Sequence, residues 1–160
     1  MDHAPQPASG LFEGTCHLFP IRVHYEDTDL LGIVYHANYL KFCERARSDV
    51  LRLLGIDQRA AHEAGEGAYA VADARIRWVA PAKFDDSLTV QTRLAELQAA
   101  SVRLEQRVCR GDQLLAEIAI RVAFVAPNGR PRRQPDAWRQ AFVDFYLPNS
   151  PSPNLSKETA

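Results

Sequence analysis

The stretch Tyr25-Glu26-Asp27-Thr28-Asp29-Leu30-Leu31-Gly32-Ile33-Val34-Tyr35-His36-Ala37-Asn38-Tyr39 decides how this chain is read. Before it, His17, Phe19, Ile21, Val23 and Tyr25 alternate with mostly polar neighbours, Leu18 excepted, and that period of two predicts a strand. Gly32 ends the alternation. From Asn38 to Leu54 the period becomes helical, with Tyr39, Phe42, Cys43, Ala46, Val50, Leu53 and Leu54 on one face and Lys41, Glu44, Arg45, Ser48 and Arg52 on the other. Asn38 is a good N-cap, and Gly55 stands where a C′ glycine belongs. A one-sided apolar helix of about four to five turns needs a broad apolar surface to lie on. Between strand and helix, Glu26, Asp27, Asp29, Gly32 and His36 stand close together. Such a cluster can set an acid or base beside the free N–H groups of a helix start.

Outward from this stretch, residues 1–14 hold Pro, Gly and Ser without period and are expected to form a disordered tail. Residues 56–68 read as a weaker helical or loop segment. Strands are expected over Ala70–Val79, ended by Pro81, over Ser87–Leu97, over Ser101–Arg110 and over Leu114–Val125. Gly111-Asp112 and Asn128-Gly129 mark turns. Gln134–Tyr146 reads as a terminal helix, and residues 148–160, with three prolines, as a second disordered tail. The expected organisation is therefore one domain over residues 15–147 between two tails. An amphipathic helix and an antiparallel sheet with one apolar face cover each other, so the fold class is α+β, with one long central helix wrapped by a five-stranded antiparallel sheet.

Composition narrows the classes of function. The 160 residues are 46% hydrophobic and 24% charged, as in an ordinary globular chain, and the formal net charge of -1 gives no basic bias towards nucleic acid. No apolar run approaches the ~20 residues of a membrane span. The first residues do not read as a secretory signal, and Cys16, Cys43 and Cys109 show neither disulfide nor CxxC metal spacing, so a cytoplasmic chain with reduced thiols is expected. Neither a P-loop nor a GxGxxG is present, which leaves nucleotide hydrolysis and dinucleotide redox chemistry without support. His24, Asp27, Asp29 and His36 match no metal-ligand spacing, so no metal is expected.

The blocks Tyr25–Asp29, Gly32–Tyr39 and Glu44-Arg45-Ala46-Arg47 closely resemble hot-dog-fold acyl-CoA thioesterases of the 4-hydroxybenzoyl-CoA thioesterase type, and within them the branch encoded beside the bacterial Tol–Pal envelope system. Pro81–Leu88 is similar to the turn entering the third strand of that fold. The resemblance covers roughly residues 15–126; Leu31 stands where Tol–Pal relatives carry the first glycine of a Gly-Gly pair.

The resemblance implies a hydrolase that cleaves a thioester to a free acid and coenzyme A without a prosthetic group. The aspartate matching Asp29 acts there as base or nucleophile, and the backbone N–H matching His36 polarises the thioester carbonyl. Gly32, Ile33 and Val34 form the turn that delivers that N–H, with the glycine allowing close backbone approach. The His36 imidazole is a further candidate, either orienting the attacking group or protonating a thiolate whose ordinary pKa, near ~8.5, makes little such help necessary. Tyr25 and Tyr35 are candidates to line the acyl pocket, with core aromatics as the alternative, and Asn38 completes the substrate-binding set. Glu26 and Asp27 read as solvated or turn-stabilising. Glu44 is the rival carboxylate, for which a surface ion pair with Arg47 is the plainer account. Arg130, Arg132, Arg133 and Lys83 could meet coenzyme A phosphates or simply be exposed cations. The resemblance also implies a homodimer at least, with a homotetramer as the next assembly. The competing reading is a non-hydrolytic acyl-CoA or acyl-carrier-protein binding module on the same fold, which would not need Asp29.

Overall fold

The alternation that opens the motif stretch folds largely as expected: His17, Phe19, Ile21 and Val23 turn inward, the first three within a strand over Cys16–Arg22 and Val23 just after it. The computed structural model describes residues 3–149, with side chains through Phe145. In chain order the elements are β1 (Leu11–Glu13), β2 (Cys16–Arg22), a 3-10 turn (Tyr25–Asp27), α1 (Asn38–Leu53), α2 (Gln58–Glu63), β3 (Ala68–Trp78), β4 (Ser87–Leu97), β5 (Ser101–Arg110), β6 (Gln113–Val125) and α3 (Asp136–Asn149). The strands form one antiparallel sheet in the order β1-β2-β4-β5-β6-β3.

The α+β architecture is the expected one, with a correction in strand number: the sheet has six strands, not five. The added strand, β1, comes from the segment expected to be a disordered tail. Gly14 turns the chain back, Leu11 pairs with Leu18 and Phe12 with His17, and the Phe12 ring packs on Phe145. Ahead of it, the Ser9 hydroxyl and the Gly10 N–H donate to the buried Asp49 carboxylate of α1 at 2.9 and 2.8 Å. The second tail begins later than expected, since α3 continues to Asn149, and the expectation for residues 150–160 lies outside the described residues.

Helix α1 lies over β2, β4 and β5. Tyr39, Phe42, Cys43 and Ala46 carry its apolar stripe into a core shared with Val90, Leu104, Val108, Ile118 and Ile120, and Val50 is buried on the same face. Burying a side chain such as Phe42, which has no exposed surface, contributes about 1.5–3 kcal/mol. The helix stops as the sequence requires: Gly55 takes φ +77°, its N–H donates to the Arg52 carbonyl, and the Ile56 N–H donates back to Leu51. Its start differs from expectation. The cap position is Ala37, in helical conformation, and Asn38 is the first helical residue, its side chain spent on the Asp27 carbonyl instead. Tyr25 also departs from the strand reading, because the chain leaves β2 at Arg22 and Tyr25 opens the 3-10 turn with its ring exposed.

Two buried polar groups lie where the pattern is apolar. Arg47 is nearly enclosed; its Nη1 donates to Gln106 Oε1 at 2.8 Å, and Gln106 Nε2 donates to the Cys43 carbonyl and to Thr92 Oγ1, both at 3.0 Å. The expected pair with Glu44 forms, but only Glu44 is at the surface. The second is His17, fully buried, whose Nε2 meets Asp49 Oδ2 at 2.7 Å while Nδ1 has no partner. Burial pushes the His17 imidazole below its ordinary value, so the neutral ring donates to an ionised Asp49. Burial alone would raise the Asp49 carboxyl, but hydrogen bonds from His17, Gly10 and Ser9 outweigh it and hold the group low.

The sheet leaves one side of the molecule open. β3 is an edge strand eleven residues long, and α1 does not cover it. Val71, Trp78 and Val79 expose apolar surface along it. Among the described residues, no helix is long and apolar enough to cross a membrane.

Candidate active site

The motif stretch folds as a small hairpin between β2 and α1. Asp27 anchors its entry: the carboxylate accepts the His24 N–H at 2.8 Å, closing the 3-10 turn, and the buried Asp27 carbonyl accepts both the Tyr35 N–H and Asn38 Nδ2 at 2.9 Å. Thr28 then pairs with Val34, the Asp29 N–H donates to the Ile33 carbonyl at 3.0 Å, and the Gly32 N–H returns to the Asp29 carbonyl at 2.9 Å. Gly32 sits at φ +76° with no atom within 4 Å of where a Cβ would be. The glycine is therefore required by the handedness of the turn, not by close approach of backbone, which corrects the reason the sequence suggested.

This turn leaves Asp29 half-buried, with Oδ1 accepting the Leu31 N–H at 2.8 Å. Oδ2 has no hydrogen-bond partner among the described residues. On the far limb of the hairpin, the peptide joining Tyr35 to His36 is gripped through its carbonyl, which accepts the Asn38 N–H at 2.8 Å. The next carbonyl, that of His36, accepts the Trp78 indole N–H at 3.0 Å, and the Trp78 ring stands edge-on to the imidazole. The His36 N–H has no acceptor among the described residues. It lies two residues ahead of α1, where the first-turn N–H groups and the helix dipole favour negative charge.

Asp29 and His36 line one cleft of about 410 Å³, together with Leu31, Ile33, Val34, Tyr39, Trp78, Val79, Ala80 and Pro81. Its walls are mostly apolar, and its polar groups gather at the hairpin. The Tyr39 hydroxyl accepts the Ala82 N–H at 3.1 Å, and burial pushes its phenol up, so it remains neutral. What the arrangement offers chemically is one apolar recess lined by a carboxylate and by a residue whose backbone N–H has no acceptor among the described residues. A larger concavity of about 600 Å³ lies on the outer face of the sheet among Arg75, Arg77, Arg93, Arg107, Glu105 and Glu117. It contains none of the motif residues, and its Glu117 carboxylate is paired with Arg77 at 2.7 Å, so the smaller cleft is the candidate site.

The remaining candidates fall elsewhere. Tyr25 and Tyr35 are exposed and lie outside the cleft lining, so they are not core aromatics either. Asn38 is buried and acts on the Asp27 carbonyl. Glu44 lies outside this cleft, by Arg47. Arg132 donates to the Gly65 and Glu66 carbonyls, Arg133 pairs with Asp136, and Arg130 is exposed. Lys83 borders the hairpin, its backbone bridged to Ile33 and its N–H donated to Asp86, whose carboxyl that bond and Arg110 hold low. Among the described residues, no cluster of three or more His, Cys, Asp and Glu could hold a metal. Sequence reasoning missed Trp78, whose only signal was an aromatic residue at the end of a strand shortly before Pro81.

The Thioesterase-like superfamily profile matches residues 23–145. The acyl-CoA thioesterase YbgC of Haemophilus influenzae is 43% identical over 107 residues, covering 67% of this chain and 79% of its own length. The acyl-CoA thioester hydrolase YbgC of Escherichia coli O6:H1 is 38% identical over 123 residues, covering 76% of this chain and 91% of its own. Among solved structures, a probable thioesterase from Bartonella henselae superposes with a TM-score of 0.72 at 37% identity, over 75% of this chain and 99% of its own. The motif hairpin, its carboxylate and its open backbone donor thus occur in a chain that belongs to the thioesterase-like superfamily.

Proposed function

We propose that this chain is an acyl-CoA thioesterase, hydrolysing a thioester to a free acid and coenzyme A, with Asp29 as base or nucleophile and the His36 N–H as oxyanion donor. The observation that carries the reading is one apolar cleft lined by both Asp29 and His36, with no acceptor for the His36 N–H among the described residues. In the general-base course, Asp29 takes a proton from water as the water oxygen attacks the thioester carbon. In the nucleophilic course, Asp29 itself attacks, and water then hydrolyses the mixed anhydride. Either way negative charge builds on the carbonyl oxygen, where a fixed N–H stabilises it in the transition state. The C–S bond then breaks, and the thiolate leaves readily because its conjugate acid has a pKa near ~8.5.

The finer assignment is to the 4-hydroxybenzoyl-CoA thioesterase type and the Tol–Pal-associated branch, which the likeness to the YbgC proteins supports. The protein acts in the cytoplasm as a homodimer or a homotetramer. The open edge of β3 and its exposed Val71, Trp78 and Val79 support pairing with a second copy there.

The test is free-thiol release from short-, medium- and long-chain and aromatic acyl-CoAs, wild type beside Asp29→Asn. The expected result is turnover of at least one class and a loss of about 10²–10⁴-fold in the variant, the usual worth of a positioned acid or base. Wild type that binds but never cleaves would make this a binding module. A variant with full rate would remove Asp29 from the mechanism.

A further inference from the structure

We infer that Trp78 is a positioning residue for the thioester-cleaving reaction, holding the His36 carbonyl and ring and so limiting rotation of the residue whose N–H is the unpaired donor. This rests on the thioesterase reading given above. Tyr35 and His36 carry four backbone hydrogen-bonding groups. The Tyr35 N–H is held by Asp27, the Tyr35 carbonyl by the Asn38 N–H, and the His36 carbonyl by the Trp78 indole. Only the His36 N–H is left. The first two grips come from within the hairpin and the helix start. The third comes from β3, across 42 positions of sequence, and it alone ties the donor to the sheet.

The geometry suits that task. The indole bond fixes the plane of the peptide following His36, and the ring, at 83° to the imidazole with centroids 5.7 Å apart, limits how far the residue can rotate. The two contacts bracket His36 from its main chain and its side chain. A backbone donor is useful in catalysis only if it is already oriented before charge develops. Trp78 also lines the cleft itself, so its ring and its N–H have separable roles.

Two substitutions separate them. Trp78→Phe keeps an aromatic ring against His36 and deletes the N–H; Trp78→Ala deletes both. Trp78 is half exposed, so both variants are expected to fold, checked by circular dichroism, and to keep the wild-type oligomeric state, checked by size-exclusion chromatography because Trp78 also stands at the β3 edge. With the best acyl-CoA substrate, Trp78→Phe should lower kcat about tenfold and leave KM within about twofold, a share of the 10²–10³-fold that removing an oxyanion donor costs. Trp78→Ala should lower kcat further and raise KM. Wild-type kcat in Trp78→Phe, or a change in KM alone, would overturn the inference. A second measurement does not need turnover: in ¹⁵N-resolved NMR spectra of the free protein, the His36 and Ala37 amides should shift or broaden in Trp78→Phe. Unchanged amides would sink the inference even in a protein with no activity. An inert wild type with shifted amides would instead refute the thioesterase reading and leave the positioning contact standing.

Discussion

Replacing Gln106 with leucine tests whether the buried Arg47 network holds α1 to the sheet. Gln106 is almost wholly buried, and its carboxamide accepts from Arg47 and donates to the Cys43 carbonyl and Thr92 Oγ1. Gln106→Leu removes three hydrogen bonds and leaves Arg47 Nη1, on a side chain 8% exposed, without its acceptor. A hydrogen bond to a charged group contributes about 1.5–3 kcal/mol and each neutral one about 0.5–1.5 kcal/mol, and part is recovered by burying leucine, which puts the net cost at about 3 kcal/mol. For a chain of this size that should lower Tm by about 6–12 °C. Arg47→Met should cost about 1–3 kcal/mol, the price of an unsatisfied Gln106 Oε1, since Glu44 is exposed and water replaces its partner. The double variant has neither of these two orphans, and removing both partners of a buried polar contact is often close to neutral, so its remaining cost is the lost bonds of Gln106 to Thr92 Oγ1 and the Cys43 carbonyl. Urea unfolding of all four proteins gives the cycle. A coupling of at least about 1 kcal/mol in favour of the double variant is expected. Two single variants within about 0.5 kcal/mol of wild type would refute the reasoning, because surface substitutions behave that way.

Three further outcomes follow from the same buried groups. His17 has a lowered pKa in the folded state, so the unfolded chain takes up the proton first as pH falls below about 6.5, and stability drops through that window. Its slope should not exceed about 1.4 kcal/mol per pH unit for one proton, and His17→Gln, which keeps a donor towards Asp49 but cannot titrate, should flatten it in melts between pH 8 and 5.5. Asp49, also lowered, adds a second loss only at pH values below the ordinary carboxylate range. Gly10→Ala would bring a methyl group to 2.2 Å from the Leu18 carbonyl and 2.9 Å from Asp49 Oδ2, so β1 should detach at a cost of about 1–3 kcal/mol, read as faster amide exchange at Leu11–Glu13. All three cysteines are buried, and burial pushes each thiol up, that of Cys43 to about 12, so the native protein should react with thiol reagents far more slowly than the urea-unfolded chain. Fast labelling of the native chain would show that the core opens.

Long periodic elements were legible from sequence because burial and period coincide in them: α1 and strands β4 to β6 lie within a residue or so of their expected bounds. What escaped notice depends on partners distant in sequence. β1 is three residues long, and although its turn and its pairing with β2 are local, the Asp49 carboxylate that anchors the residue before it stands 39 positions away. Arg47 reads as a solvated helix residue until Gln106 is known to face it from the sheet. Within the site, the motif stretch named Asp29 and His36, and the hairpin brings both to one cleft. Trp78 reaches His36 only through the fold, since β3 ends beside the helix start although the two lie far apart in the chain.

The uncommitted donor at His36 belongs to the main chain, and this shapes how the position would look to genetics. Nearly every substitution there leaves an N–H in place; only proline deletes it outright. A saturation scan should therefore score position 36 as more tolerant than position 32, with only the loss of the ring contact to Trp78 felt at 36, because at Gly32 the backbone itself takes a conformation that side chains resist. If the His36 N–H is the oxyanion donor as proposed, that atom would leave a faint mark on sequence variation, and the turn that presents it a deep one.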